Sequence, residues 1–367
     1  MTGGGTAGHV NPAIAIANTI KEYDKESEIA FVCSHLTRDK AQDLVPRAGY
    51  EKLYRVHIMP SFKIYNPKNV LTLISMIRSE GEAKKLIREF RPDVIIGTGG
   101  FACYPVLNAG AKMGIPTLVH ESNAIAGKAV LKLASKVDAV MTNFETTKAQ
   151  IKGAKRVVSV GNPQVIGHNA CDDGEIAKGY KYSVVSFGGS MGAETLNRAY
   201  ADTLCEVAKK HSDTEFYHAA GKRDFEELKK IFAEKGLDKL ENVKLVDYIY
   251  DMDARMKRAD IVISRAGAMT LSELALLGKA AVLVPSPFVA ANHQFKNAKT
   301  LSDKNACVLV EEKDFASGKL TESLESLLAD ENMRDELSKN IKTFAKSEAN
   351  RVIYEEIVRA IDLKKKS

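Results

Sequence analysis

Short apolar runs rich in β-branched residues alternate with longer amphipathic stretches along most of this chain, and that alternation restricts the fold more than any other feature. Residues 28–33, 93–96, 116–120, 139–141 and 157–160 read as buried strands, as do 182–187, 215–218, 243–246, 261–264, 280–284 and 306–310. Near-continuous apolar strands separated by helical patterns belong to parallel sheets built from βαβ units. The stretches 197–209, 224–235 and 270–277 carry the i, i+3, i+4 apolar spacing of helices. The fold class is therefore α/β, with doubly wound sheets.

A chain of 367 residues has room for two such domains. The strand pattern restarts near Tyr182, after a polar stretch of little periodicity that follows Gly161-Asn162-Pro163. We read 1–162 as one domain, 163–180 as a linker, 181–348 as a second domain and 349–367 as a terminal helix. Each half opens with a glycine-rich turn. Two Rossmann-like halves would face each other across a cleft lined by the carboxyl ends of their strands, where ligands of such sheets bind.

The charge balance, 53 Lys and Arg against 47 Asp and Glu, is mildly basic. It permits an anionic substrate or membrane surface, and without a clustered patch it does not argue for nucleic acid. The five cysteines, at 33, 103, 171, 205 and 307, include no CxxC and no metal-ligand spacing, as for free thiols in a reducing compartment. The region near Met1 has no secretory apolar core. The uncharged run 94–111 holds four glycines and Pro105, so it reads as strand, loop and helix start. The expectation is a cytoplasmic protein whose membrane contact, if any, is peripheral.

Gly3-Gly4-Gly5-Thr6-Ala7-Gly8-His9 leads into an apolar helix. Gly3, Gly5 and Gly8 satisfy GxGxxG, but the next strand runs into Ser34-His35 without the acid that would hold a dinucleotide ribose. The second loop, Gly188-Gly189-Ser190-Met191-Gly192-Ala193, lies between a strand and a helix. It is either a tight turn or a diphosphate cradle of backbone N–H groups at a helix N-terminus. Gly97-Thr98-Gly99-Gly100 is a third such segment. Three together favour a large ligand bearing phosphate or sugar.

Glu273, placed in the first turn of a helix, reads either as half of a capping box with Thr270 or as a bidentate acceptor for two ribose hydroxyls. His9 is either structural or a base able to take a hydroxyl proton near neutral pH. His120-Glu121-Ser122-Asn123 ends a strand and is no zinc motif, since position 124 is Ala. Asn292-His293-Gln294 and Asn297 offer neutral groups suited to sugar hydroxyls, or else a soluble helix start. Asp251-Met252-Asp253 reads as a helix N-cap rather than a metal-binding DxD, and no metal is inferred. Residues 61–77 mix aromatics, lysines and a helical apolar face, which suits either core packing or an anionic bilayer.

Taken in order, the segments 3–9, 97–101, 120–127, 161–163, 188–193 and 265–273 resemble the MurG family, bacterial glycosyltransferases that add N-acetylglucosamine to lipid I to make lipid II in peptidoglycan synthesis. The resemblance implies a GT-B fold whose last helix crosses back to the first domain. It implies an inverting mechanism with no cofactor and no bound metal. It places Glu273 on the ribose, the backbone of Ile249 on uracil, and Ser190 with Gly189 on the diphosphate. Ala268, Met269, Thr270, His293, Gln294 and Asn297 would surround the donor sugar. Thr6, Gly8, Glu121 and Asn123 would line the acceptor side, with His9 as general base. The implied partners are UDP-N-acetylglucosamine, lipid I, the anionic cytoplasmic face of the membrane through residues around 61–77, and other cell-wall synthesis proteins. The rivals are another lipid-acceptor GT-B transferase and a non-catalytic UDP-sugar binder.

Two features depart from the family. Gln164-Val165 stand where a basic residue usually follows Gly-Asn-Pro. Only Met1 and Thr2 precede the first glycine loop, where a central strand belongs. The expectation is either a true start further upstream or a chain that lacks a central strand and is correspondingly unstable.

Overall fold

The computed structural model describes residues 1–37, 39–58, 69–164, 177–189 and 192–366, with backbone only over 69–76 and at 290. The chain forms two compact units, Met1–Ile166 with Lys346–Ser367, and Gly167–Ala345. Each is Rossmann-like, the architecture of GT-B glycosyltransferases.

The strands of the first unit are β1 (Phe31–Ser34), β2 (Leu53–Val56), β3 (Ile95–Gly97), β4 (Thr117–Glu121), β5 (Ala139–Thr142) and β6 (Val157–Ser159). They form parallel sheets β1-β2 and β3-β4-β5-β6. Thr2 joins them through parallel bridges to Val32 and Gly97. Its N–H donates to Ile96 (2.8 Å), its carbonyl accepts from Thr98 (3.0 Å), and Met1 accepts from Val32 (2.9 Å). The order is thus β2-β1-Thr2-β3-β4-β5-β6. The slot of the central strand is filled, though by one bridging residue rather than a full strand. β2 is an edge strand, only partly buried and interrupted by exposed Arg55, so no apolar run marks it in the sequence.

The helix Ala349–Lys365 belongs to this first unit. Its Ile353 and Ile357 are buried with Ile16, Ile20, Ile96, Leu118 and Met141. Each such side chain contributes about 1.5–3 kcal/mol of burial. Tyr354 stacks on Tyr23 at 4.5 Å between ring centroids, and Glu356 takes both arms of Arg156 at 2.8 and 2.7 Å. Gln164 is tied to the same helix: its N–H donates to Asn350 Oδ1 (2.8 Å) and its amide to the Lys346 carbonyl (3.0 Å). Val165 lies outside the described residues.

The second unit carries β7 (Tyr182–Phe187), β8 (Thr214–Ala219), β9 (Val243–Val246), β10 (Ile261–Ser264), β11 (Ala280–Leu283) and β12 (Val308–Leu309). They make one parallel sheet, β12-β11-β10-β7-β8-β9, whose chain order reverses between β7 and β10. The central strands β7, β10 and β11 are almost wholly buried, as in a parallel sheet covered on both faces. Among the described residues, no helix is long and apolar enough to cross a membrane.

Candidate active site

In a doubly wound sheet the ligand position is the carboxyl edge at the point where strand order reverses. In the second unit this point is fixed by the pairing of Phe187 with Ser264. The chain leaves those residues as Gly188-Gly189 and as Arg265-Ala266-Gly267, so the second glycine loop and the 265–268 turn emerge side by side. Gly188 is packed so that a Cβ would lie 2.4 Å from that of Ala193, and Gly192, at φ +79°, would meet Asp224 Oδ2 at 2.4 Å. Gly189 has φ +94°, and among the described residues, its chain neighbours aside, nothing lies within 4 Å of where a Cβ would stand. The helix Glu194–Val207 that follows has no side-chain cap, leaving N–H groups of its first turn to an anion. Ser190 lies outside the described residues.

The helix Ala268–Leu277 is capped by Gly267, again with no side-chain bond. Glu273 therefore stands in its second turn, and the capping box with Thr270 does not form. Among the described residues nothing hydrogen-bonds to the Glu273 carboxyl, and burial, with a smaller effect of nearby Asp253, pushes its pKa up to about 7. An unpaired, half-buried carboxyl is costly and expects a partner. Met269 and Thr270 are half-buried on the same helix, and Ala268, at its first turn, accepts the Ser272 hydroxyl (3.1 Å). Ile249 follows β9 with its side chain buried, while neither its N–H nor its carbonyl is paired among the described residues. A free peptide edge of this kind can read the donor and acceptor pattern of a base.

The helix His293–Ser302 is entered through two consecutive left-handed residues, Ala291 (φ 55°) and Asn292 (φ 51°). Such strain is held only where the surroundings impose it. His293 opens the helix and is half-buried. Gln294 Oε1 accepts the Ser286 N–H (2.8 Å), and buried Asn297 donates to the Ala266 carbonyl (3.3 Å). Both amides thus brace loops around the site. Asp251 stands at the N-cap position of its helix, as expected, but its carboxyl makes no cap bond and pairs with Arg255 at 3.1 Å instead.

In the first unit the reversal lies between Thr2 and β3, and the loops are Gly3–Gly8 and Gly97–Gly100. Thr98 Oγ1 donates to the His9 carbonyl (2.6 Å), and a Cβ on Gly100 would lie 2.0 Å from the Gly4 carbonyl oxygen. His9 stands in the first turn of the helix Ala7–Tyr23, half-buried, with Nδ1 3.2 Å from exposed Thr6 Oγ1. Gly8, beside them, is exposed. At the end of β4, buried Glu121 accepts the Asn123 N–H (3.0 Å), the Asn123 side-chain amide (3.0 Å) and the Gly127 N–H (2.7 Å). Burial raises its pKa in spite of them. Glu121 holds the loop that presents Asn123. His120 is fully buried and gives Nε2–H to the Gly161 carbonyl (2.8 Å), and burial lowers its pKa to about 4.

Two residues went unnoticed in the sequence. Buried Asp39 accepts from the N–H groups of Gly5 (2.8 Å), Ser34 (2.9 Å) and Ala41 (3.1 Å) and from the Ser34 hydroxyl (2.7 Å). It locks the first glycine loop to β1. Arg265, paired with Glu312, donates to the Val284 and Pro285 carbonyls (both 3.3 Å). It ties the turn at the second reversal to the strand beside it. An acid five residues past a strand end, and an arginine directly after one, were the available signals.

Residues 1–142 match the glycosyltransferase family 28 N-terminal domain and residues 183–353 its C-terminal domain. The chain is 38% identical to the UDP-N-acetylglucosamine–N-acetylmuramyl-(pentapeptide) pyrophosphoryl-undecaprenol N-acetylglucosamine transferase of Acetivibrio thermocellus, covering 97% of this chain and 96% of the relative. It is 34% identical to the protein of that name from Limosilactobacillus reuteri, over 99% and 98% of the two. The crystal structure of Acinetobacter baumannii MurG superposes with a TM-score of 0.75 at 24% identity, covering 98% of each chain, which shows the shared fold. The chain belongs to glycosyltransferase family 28, and within it to the MurG family of N-acetylglucosaminyltransferases.

Proposed function

We propose that this chain transfers N-acetylglucosamine from UDP-N-acetylglucosamine to the 4-hydroxyl of the muramyl sugar of lipid I, forming the β-1,4 link of lipid II. The observation that carries this is the likeness, over 97% of the chain, to a transferase named for that donor and acceptor. The second unit takes the donor: Glu273 accepts the two ribose hydroxyls, the peptide of Ile249 pairs with uracil, and the loop at Gly189 and Ser190 holds the diphosphate. Ala268, Met269, Thr270, His293 and Gln294 shape the sugar pocket, and Asn297 braces it. The first unit takes the acceptor at Thr6, Gly8, His9 and Asn123.

His9 accepts the proton of the attacking hydroxyl, whose oxygen then bonds to the anomeric carbon as the bond to UDP breaks on the opposite face. The transition state is oxocarbenium-like. Charge builds on the departing diphosphate, and backbone N–H groups at the start of the helix Glu194–Val207 stabilise it. We place the enzyme on the inner face of the cell membrane, docked through residues around 61–77. Residues 61–68 and the side chains of 69–76 lie outside those described, and Ile77 beyond them is 66% exposed.

The test is transfer of labelled sugar from the UDP donor to a short-chain lipid I analogue, with the product's linkage read by NMR. A β-1,4-linked disaccharide supports the reading. Transfer only to another lipid, such as diacylglycerol, or donor binding without transfer, would overturn it in favour of a rival.

A further inference from the structure

His35 directly follows β1 and His57 directly follows β2, one step beyond the paired residues Ser34 and Val56. Their backbones are held together by the His35 N–H donating to the Val56 carbonyl (3.1 Å). The imidazole rings lie 4.1 Å apart between centroids. Glu82, on the helix Asn69–Phe90, reaches the pair from the side: Oε2 accepts the His57 N–H (2.7 Å) and Oε1 lies 2.8 Å from His57 Nδ1. One ligand-capable atom from each of the three residues lies within 4.8 Å of the other two.

We propose that His35, His57 and Glu82 form a binding site for a borderline transition-metal dication such as Zn²⁺, outside the glycosyl-transfer site. Two imidazoles and a carboxylate are a ligand set that suits zinc and leaves a fourth position to water. Tetrahedral bonds of about 2.0–2.1 Å place ligand atoms roughly 3.3 Å apart. The contraction falls to His35, which is exposed and has no hydrogen bond to its ring among the described residues. His57 and Glu82 are fixed by backbone and side-chain bonds, as a pre-organised half of a site should be.

Among the described residues the positively charged neighbours are Arg55 and Arg78. Arg78 is the competitor: Nε donates to Glu82 Oε1 (3.0 Å) and its guanidinium lies 3.3 Å from His57 Nε2. It occupies the lone pairs a cation needs and must swing out into solvent when the metal enters. The site is therefore one at which a cation and an arginine exclude each other, and removing the arginine should strengthen metal binding.

The test is calorimetric titration of the metal-stripped full chain with Zn²⁺, with Co²⁺ absorption as a second readout of coordination. A background with Cys205→Ser and Cys171→Ser removes the exposed thiol among the described residues and the one that lies outside them as rival ligands. One equivalent should bind, His35→Ala and Glu82→Gln should each weaken it by about tenfold or more, and Arg78→Ala should tighten it. The metal-free variants should keep the parent's circular dichroism and unfolding midpoint, which shows that the first unit, where all three residues lie, is folded. Absence of saturable binding, or binding that is indifferent to His35, would overturn the proposal and leave the cluster a hydrogen-bonded clip between β1, β2 and the helix.

Discussion

The two glycine loops sit at the same point of the same fold and are built in opposite ways. The second follows β7, a six-residue strand paired on both sides, and precedes a helix whose start is uncapped. Among the described residues, its Gly189 faces open space. The first follows a one-residue bridge at Thr2 and is clamped instead by side chains: Asp39 takes the Gly5 N–H, Thr98 takes the His9 carbonyl, and Gly4 and Gly100 are pressed together. A loop that must offer bare N–H groups to a diphosphate needs a rigid strand and an empty foreground. A loop that must aim one imidazole needs bracing from several directions.

The contrast predicts distinct failures. His9→Ala should cost the most, about 10²–10⁴-fold in kcat, with donor affinity unchanged. Asp39→Ala should come next. It strands two buried N–H groups and one partly buried one and should lower stability by about 3 kcal/mol in denaturant unfolding, with transfer falling while UDP binding persists. Unchanged stability would mean that the first loop does not depend on its clamp.

Glu273→Gln should act on the donor side, weakening UDP-donor binding by about 1.5–3 kcal/mol in calorimetry. The wild-type carboxyl has a pKa near 7 in the ligand-free fold against an ordinary 4.5. A raised carboxyl favours folding below its unfolded value and loses that contribution as pH rises through its folded value. The glutamine variant should therefore melt higher than wild type above pH 7, and the gap should close toward pH 4.5. Donor affinity of the wild type should rise over the same interval as the carboxylate forms. The smallest effects separate the glycines. Gly4→Ala drives a methyl to 2.7 Å from Asp39 and should cost about 1–3 kcal/mol, against about 1–2 for Gly189→Ala, where only the positive φ is strained.

The α/β class was legible because buried parallel strands announce themselves as continuous apolar runs, and β7, β10 and β11 do so in four to six residues each. The partly buried edge strand β2 was not, since Arg55 breaks its pattern. Glu273 was legible as a choice between cap and ligand, and the helix start at Ala268 removes the capping alternative. Asp39 was illegible because its partners are backbone groups of Gly5, Ser34 and Ala41, which a sequence does not display. Glu121 and Asn297 carry chemistry-bearing side chains yet spend them on neighbouring loops, a distinction that only the fold supplies.

In the proposed reaction, proton removal belongs to the first unit and donor recognition to the second. The most direct test measures kcat on a lipid I analogue and Kd for UDP-N-acetylglucosamine in His9→Ala and Glu273→Gln side by side. The account predicts that His9→Ala loses kcat at unchanged Kd while Glu273→Gln raises Kd. Donor binding weakened as much by His9→Ala as by Glu273→Gln would contradict it.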